Sequence, residues 1–110
     1  MNKVGTVLRL LHDLTAVDAK DRARAAGEVT SVVGNLRPEE VHTVATVLVM
    51  ARLAETSPPV QEAMLRAIVE LNILHRPLPP AVLARVWDID PASVTGQQVE
   101  YFMELFTGRR

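Results

Sequence analysis

The stretch Ser57–Leu74, SPPVQEAMLRAIVELNIL, decides the fold of this chain. Ten of the fifteen residues from position 60 to position 74 are apolar. The charged residues Glu62, Arg66 and Glu70 recur every fourth position and form one line along a helix. A helix with so narrow a polar stripe must be covered by neighbours on at least two sides. The stretch therefore predicts a central helix of an all-α fold, in which Leu71 is fully buried.

The residues at the start of this stretch favour a helix that begins there. Pro58 suits the first helical position, because the backbone donor that proline lacks is unpaired there in any case. Ser57 has a side chain that can cap the first turn. The sequence therefore predicts that the central helix begins at Pro58.

The length and composition describe one domain with an aliphatic core. The chain has 110 residues, of which 48% are hydrophobic and only 4% are aromatic. Its mean hydropathy of +0.13 is high for so small a domain and indicates apolar surface that a partner covers. The absence of cysteine excludes disulfides, thiolate metal sites and cysteine nucleophiles.

The charge pattern argues against two classes of partner. The formal net charge is −1, so we expect binding neither to nucleic acid nor to a membrane surface. The apolar run at positions 4–14 contains Arg9, His12 and Asp13 and is too short for a membrane span or a signal segment. Ten of the twelve basic residues are arginine, which is typical of bacterial coding sequences rich in G and C. We expect a cytoplasmic bacterial protein.

Five further helices are predicted around the central one. They span residues 2–14, 18–35, 37–55, 80–87 and 96–107. The segment Val44–Met50 is rich in β-branched residues and taken alone could be a strand. The Pro38-Glu39-Glu40 start and the length of the segment favour a helix there. For the last helix we expect a capping box of Thr95 with Gln98. Its predicted buried face consists of Val99, Phe102, Met103 and Phe106.

Apolar positions recur at an offset of 39 residues. The offset pairs Ala26 with Leu65 and Val29 with Ile68, and Arg37-Pro38 with Arg76-Pro77. A second application pairs Val60 with Val99 and Met64 with Met103. A period of about 40 residues is typical of arrays of helix pairs.

With this period and apolar pattern, the chain resembles a short HEAT or armadillo array. The resemblance implies antiparallel pairs at residues 18–55 and 57–87, capped by the first and last helices in a superhelical stack. A compact helical bundle is the alternative, because two full pairs are fewer than the roughly three that a solenoid needs. Small bacterial proteins of this kind are similar to immunity proteins, so the resemblance implies neutralisation of a cognate toxin.

Polar residues that could take part in catalysis or bind a metal are few and scattered. His12, His42 and His75 lie on three different helices, and Asp88 with Asp90 could hold a divalent ion. Without a third acid or a glycine-rich loop, Asp90 is better explained as a helix N-cap. We expect no catalytic residue, no metal and no cofactor, and therefore no enzyme. A metal-dependent hydrolase is the remote alternative.

The third helix is the predicted binding surface. Its apolar residues Val49, Met50 and Leu53 should project on the side of His42 and Thr46. The surface predicted to bind protein consists of His42, Thr46, Val49, Met50, Leu53 and Trp87. Trp87 could instead fill a gap in the core between the last two helices. The expected partner is another protein, either a toxin or a second copy of the chain. In the latter case the protein is a homodimerising structural or regulatory subunit.

Overall fold

The central helix forms as its sequence predicts. In the computed structural model, which describes residues 3–75 and 78–107, this helix spans Pro58–Leu74. Ser57 occupies the N-cap position without a capping bond from its side chain, and Pro58 is the first helical residue. Leu71 is fully buried, as expected, whereas Glu62 and Arg66 face solvent.

The described residues form helices joined by turns and loops and contain no strand, which confirms the all-α prediction. The six α-helices are α1 (Lys3–Leu14), α2 (Ala19–Val32), α3 (Pro38–Ala54), α4 (Pro58–Leu74), α5 (Pro80–Val86) and α6 (Gln98–Thr107). Two short 3₁₀ turns lie at Val33–Asn35 and Pro91–Ser93. No helix within the described residues combines the length and the apolar character that crossing a membrane requires.

The helix boundaries follow from local caps. Asp18 accepts a hydrogen bond from the backbone N–H of Lys20 at 2.9 Å and starts α2. Glu40 reaches back to the backbone N–H of Arg37 at 2.8 Å and helps to start α3. The segment Val44–Met50 is helical, as predicted. Tertiary contacts and the favourable start of α3 outweigh its β-branched composition.

The helices pack in two rows. In one row α1 contacts α3 and α3 contacts α5. In the other row α2 contacts α4 and α4 contacts α6. The hairpin pairs α1–α2 and α3–α4 join the rows. Because α4 contacts α2, α3 and α6, the core of the protein surrounds it. The apolar residues that are fully or almost fully buried include Leu10, Leu14, Ala26, Val29, Leu48, Met64, Leu65, Ile68 and Leu71.

The predicted pairing of helices is wrong. The pairs expected at residues 18–55 and 57–87 correspond to α2 with α3 and α4 with α5, and both pairs have few or no direct contacts. The offset of 39 residues relates successive helices of the same row instead, since α2 starts at Ala19 and α4 at Pro58. Ala26 and its equivalent Leu65 are both completely buried. The repeat is therefore a relation along a row.

The last helix forms as predicted, but the buried face predicted for it is wrong at Val99 and Met103. Val99 is 46% exposed and Met103 is 54% exposed, although their equivalents Val60 and Met64 are buried. The helix turns Gln98 and Leu105 inward instead, with Phe102 partly buried. Among the described residues α6 makes its main contacts with α4 alone, so one face remains uncovered. The side chain of Phe106 lies outside the described part of the chain.

Candidate functional site

A groove opens between α3 and α5, which are neighbours in the first row. It has a volume of about 200 Å³. Its lining consists of His42, Thr46, Val49 and Met50 from α3, and Ala81, Val82 and Arg85 from α5. The groove exists because α5, only seven residues long, contacts α3 along part of its length and leaves the outer side of both helices open. We call it the α3–α5 groove.

The apolar lining of the α3–α5 groove has two parts. Val49 is 1% exposed and Val82 is 4% exposed, so both belong to the core and show only an edge to the groove. Met50 is 47% exposed and stands beside that floor. We predicted that Val49, Met50 and Leu53 project on the side of His42 and Thr46. Val49 and Met50 do line the groove with these two residues, whereas Leu53 is half-buried and is not part of the lining. Val49 is buried because α5 packs against this side of α3.

Three polar residues complete the groove. The Thr46 hydroxyl donates to the carbonyl oxygen of His42 at 2.8 Å, so it is satisfied within its own helix. Arg85 Nε donates to Asp88 Oδ2 at 2.9 Å, and about half of the Arg85 side chain is exposed. No acidic residue is present among the described residues of the lining. The polar part of the groove can therefore present nitrogen donors from His42 and Arg85 to a partner.

Trp87 does not belong to the α3–α5 groove and does not fill a gap in the core. It is 66% exposed and follows α5 as the C-cap residue. Ile89, two residues later, is 2% exposed and takes the buried position at this end of the fold. The alternative that placed Trp87 in the core is therefore wrong, because the turn after α5 buries Ile89 and leaves Trp87 outside.

The predicted polar candidates stay apart. Asp90 accepts from the backbone N–H of Ala92 at 3.0 Å and caps the turn Pro91–Ser93, as expected. Asp88 pairs with Arg85. His75 bonds the carbonyl oxygen of Val33 at 2.7 Å, and His12 bonds Asp13 at 3.0 Å. Within the described part of the chain, no three histidine, aspartate or glutamate residues lie close enough together to hold a metal ion.

Sequence reasoning missed an ion pair between helices. The guanidinium of Arg22 on α2 makes two hydrogen bonds to Glu55 at 2.6 and 2.9 Å. Its Nη1 also donates to the carbonyl oxygens of Ala16 and Val17. The Glu55 side chain is only 1% exposed. Both residues line a cavity of about 320 Å³ between the α1–α2 turn and the end of α3. The guanidinium nitrogens of Arg22 and the carboxylate oxygens of Glu55 are all engaged in hydrogen bonds.

A second missed residue is Arg52, in the last turn of α3. It is 2% exposed, and its Nη2 donates to Gln98 Oε1 at 2.8 Å and to Ser93 Oγ at 3.1 Å. Burial is the main cause that lowers the pKa of Arg52 below its ordinary value, and Glu55 partly opposes this effect. The expected capping box of Thr95 with Gln98 is wrong, because the Gln98 side chain bonds Arg52 and Ser93 instead.

Only one signal in the sequence could have indicated these buried polar residues. The charged residues of α3 lie in its first and last turns, and Arg52 with Glu55 interrupts an otherwise apolar end. Their partners are 33 to 46 positions away along the chain, a separation over which spacing carries no information.

Comparison of the chain with protein-family models, with curated proteins and with solved structures found no match.

Proposed function

We propose that this chain is a non-catalytic protein-binding module that receives an apolar side chain of its partner in the α3–α5 groove. The observation that carries the proposal is the combination of an apolar floor, Val49 and Val82, with a half-exposed methionine, Met50. When a partner covers an apolar site that is open to water, the free energy of the system falls, and this favours binding. Methionine adapts its shape to a partner better than branched residues do.

The size of the α3–α5 groove favours a protein side chain over a small molecule. Pockets for drug-sized molecules and cofactors usually enclose about 300–1,000 Å³. A groove of about 200 Å³ accommodates one large aliphatic or aromatic side chain. Binding of this kind relies on a few buried anchors surrounded by residues that exclude water. Thr46, which lies exposed on the lining, is small enough to let a partner backbone approach.

The polar rim defines the rest of the partner's chemistry. His42 and Arg85 supply nitrogen donors, and the described lining offers no carboxylate. A carboxylate or backbone carbonyl of the partner, next to the apolar side chain that enters the groove, would accept hydrogen bonds from these donors. We therefore infer a partner segment with an apolar anchor beside an acidic residue. Neutralisation of a toxin, the function implied by the resemblance to immunity proteins, is one such interaction and stays a prediction.

Site-specific photo-crosslinking in the native host tests the proposal. A photoreactive phenylalanine analogue at Thr46 should give one major crosslinked protein, because position 46 lies in the lining. The same analogue at Arg66, which is exposed on α4, serves as the control. A product of twice the chain's mass at position 46 would identify self-association and select the homodimer. Equal products at both positions, or none at position 46, would contradict the proposal.

A further inference from the structure

The last two helices, α5 and α6, are held to the rest of the protein by contacts with different helices. In the described residues α5 packs mainly on α3, and α6 packs mainly on α4, with few or no contacts between α5 and α6. The segment that joins them, residues 87–97, crosses from one row to the other. Ile89 is its buried apolar anchor. The position of α5, which forms one wall of the α3–α5 groove, therefore depends on how this segment is held.

Internal hydrogen bonds make residues 90–98 one unit. Asp90 caps the turn through Ala92, and the Ser93 hydroxyl donates to the carbonyl oxygen of Asp90 at 2.7 Å. Gln98 Nε2 donates to the carbonyl oxygen of Ser93 at 3.0 Å and links the turn to α6. Arg52 contacts both ends of this unit, through Ser93 and Gln98. These bonds reach from α3 across the junction between the rows.

The burial of Arg52 is poorly compensated. Its acceptors in this unit are neutral oxygens, and its buried Nε finds no hydrogen-bond partner among the described residues. The carboxylate that acts on it, that of Glu55, is already bound by Arg22 and by the backbone N–H of Ser57. A buried cation without a paired anion loses its hydration without full replacement. The hydrogen bonds of Arg52 thus hold residues 90–98 against α3, whereas the burial of its charge favours a state in which the guanidinium is hydrated.

We propose that Arg52 is a latch: residues 90–98 open from α3 as a unit while α1–α4 stay folded, and this opening lets α5 move. The opening itself follows from the contacts of Arg52. Its effect on partner binding rests on the function proposed above, since it acts through the α5 wall of the α3–α5 groove. Segments that open locally have few buried apolar contacts and many exposed backbone hydrogen bonds, and residues 90–97 are exposed or half-buried.

Hydrogen exchange measured by mass spectrometry on the whole chain tests the latch without any partner. Arg52→Lys keeps the buried charge but loses the planar fork, so residues 90–98 should exchange faster by roughly tenfold to a hundredfold. The buried amides of α4 should be unchanged. Arg66→Lys, on the exposed face of α4, should change neither region. An unchanged rate at residues 90–98, or equal acceleration in α4, would overturn the latch.

A second variant tests the missing anion even if Arg52→Lys does not fold. Gln98→Glu puts a carboxylate oxygen in the place of the amide oxygen that accepts from Arg52 at 2.8 Å, but it also loses the amide donor to the carbonyl oxygen of Ser93. Because the charge-assisted bond is about twice as strong as the neutral bond that is lost, exchange of residues 90–98 should still slow. Gln97→Glu is the matched control, because it adds the same charge at the start of α6 from an exposed neighbour. If Gln98→Glu protects the segment no better than Gln97→Glu, Arg52 lacks no partner and the proposal is wrong.

Discussion

Arg22 on α2 and Glu55 at the end of α3 form a two-point ion pair, with Nε to Oε1 at 2.6 Å and Nη2 to Oε2 at 2.9 Å. The pair bridges two helices that have few or no other direct contacts. Glu55 also accepts from the backbone N–H of Ser57, so it ties α2 to the start of α4. The hydrogen bond from Arg22 is the main cause that lowers the pKa of the Glu55 carboxyl, despite the opposing effect of burial.

Replacement of Glu55 by glutamine should destabilise the protein and change its pH dependence. Breaking a fully buried pair costs about 3–5 kcal/mol. Because Arg22 keeps 20% of its side chain exposed, solvent screens the pair and we expect a smaller loss than this at pH 7. A carboxyl whose folded-state pKa is lowered contributes its full stability above the unfolded pKa of about 4.3 and loses it as the pH falls further.

Urea unfolding of the parent and Glu55→Gln at pH 7 and at pH 3 measures both effects. The difference between the two proteins should be smaller at pH 3, because this pH lies below the unfolded pKa of about 4.3, so the unfolded chain binds a proton that the folded pair must release. Acid titration of the other carboxylates affects both proteins alike. A difference that is the same at the two pH values would show that the ionised pair contributes nothing.

Leu71→Ala tests the core around α4. Leu71 is completely buried, so its truncation should lower the free energy of unfolding by about 2–5 kcal/mol. Ile73→Ala, two residues later on the same helix and 40% exposed, is the matched control. Its loss should stay below about 1 kcal/mol, since much of that side chain remains in water. Similar losses for the two variants in urea unfolding would show that the inner face of α4 is placed wrongly.

Ala26→Leu tests the close approach of α2 and α4. Ala26 is completely buried at this contact, and three added heavy atoms should cost about 1–3 kcal/mol through overpacking. The adjacent Gly27 is exposed, and a Cβ atom there would meet nothing within 4 Å. Gly27→Ala should therefore stabilise the helix by about 0.5–1 kcal/mol. Thermal melts would contradict this packing if Ala26→Leu were as stable as the parent.

Local patterns in the sequence predicted the helices because caps and periodicity are short-range properties. Pro58 and the charged line through Glu62 were sufficient to place α4 and its buried Leu71. Pairing was predicted wrongly, because the same offset of 39 fits helices that pack face to face and helices that follow each other along a row. Both faces of α6 are apolar, so Val99 and Met103 gave no sign that they are the outer face.

Only the part of the candidate site that lies on a single helix could be predicted from the sequence. His42, Thr46 and Met50 are one helical turn apart, and their common face follows from α3 alone. The other wall, with Val82 and Arg85, comes from a helix about 40 residues later. The burial of Val49 depends on that wall. Sequence spacing therefore identified one side of the α3–α5 groove and could not show its depth.

Divalent metals should not stabilise the protein. Asp88 is engaged by Arg85 and Asp90 caps a turn, so neither carboxylate is arranged with a second acid to hold an ion. Melting temperatures with and without Mg²⁺, Mn²⁺ or Zn²⁺ should agree, whereas an ion at about a hundred times its Kd would add about 2.7 kcal/mol. A saturable rise that disappears in Asp88→Asn or Asp90→Asn would support the hydrolase alternative.

Binding through the α3–α5 groove is tested most directly by comparing Met50→Glu with Met103→Glu. Met50 is 47% exposed inside the groove and Met103 is 54% exposed on α6, outside its lining, so both variants should keep the parent's circular dichroism and melting temperature. Full burial of a methionine side chain is worth about 1.5–3 kcal/mol, so covering the exposed half of Met50 is worth about half of that. Met50→Glu loses this contribution and also places a carboxylate against the apolar lining, so it should weaken binding by about tenfold or more.

The measurement is the affinity of each variant for the protein captured at position 46, by calorimetry, or for itself, by sedimentation equilibrium. We predict that Met50→Glu loses the complex and that Met103→Glu keeps the affinity of the parent. Equal affinity for parent and Met50→Glu would contradict the central claim, and so would a Met50→Glu variant that unfolds.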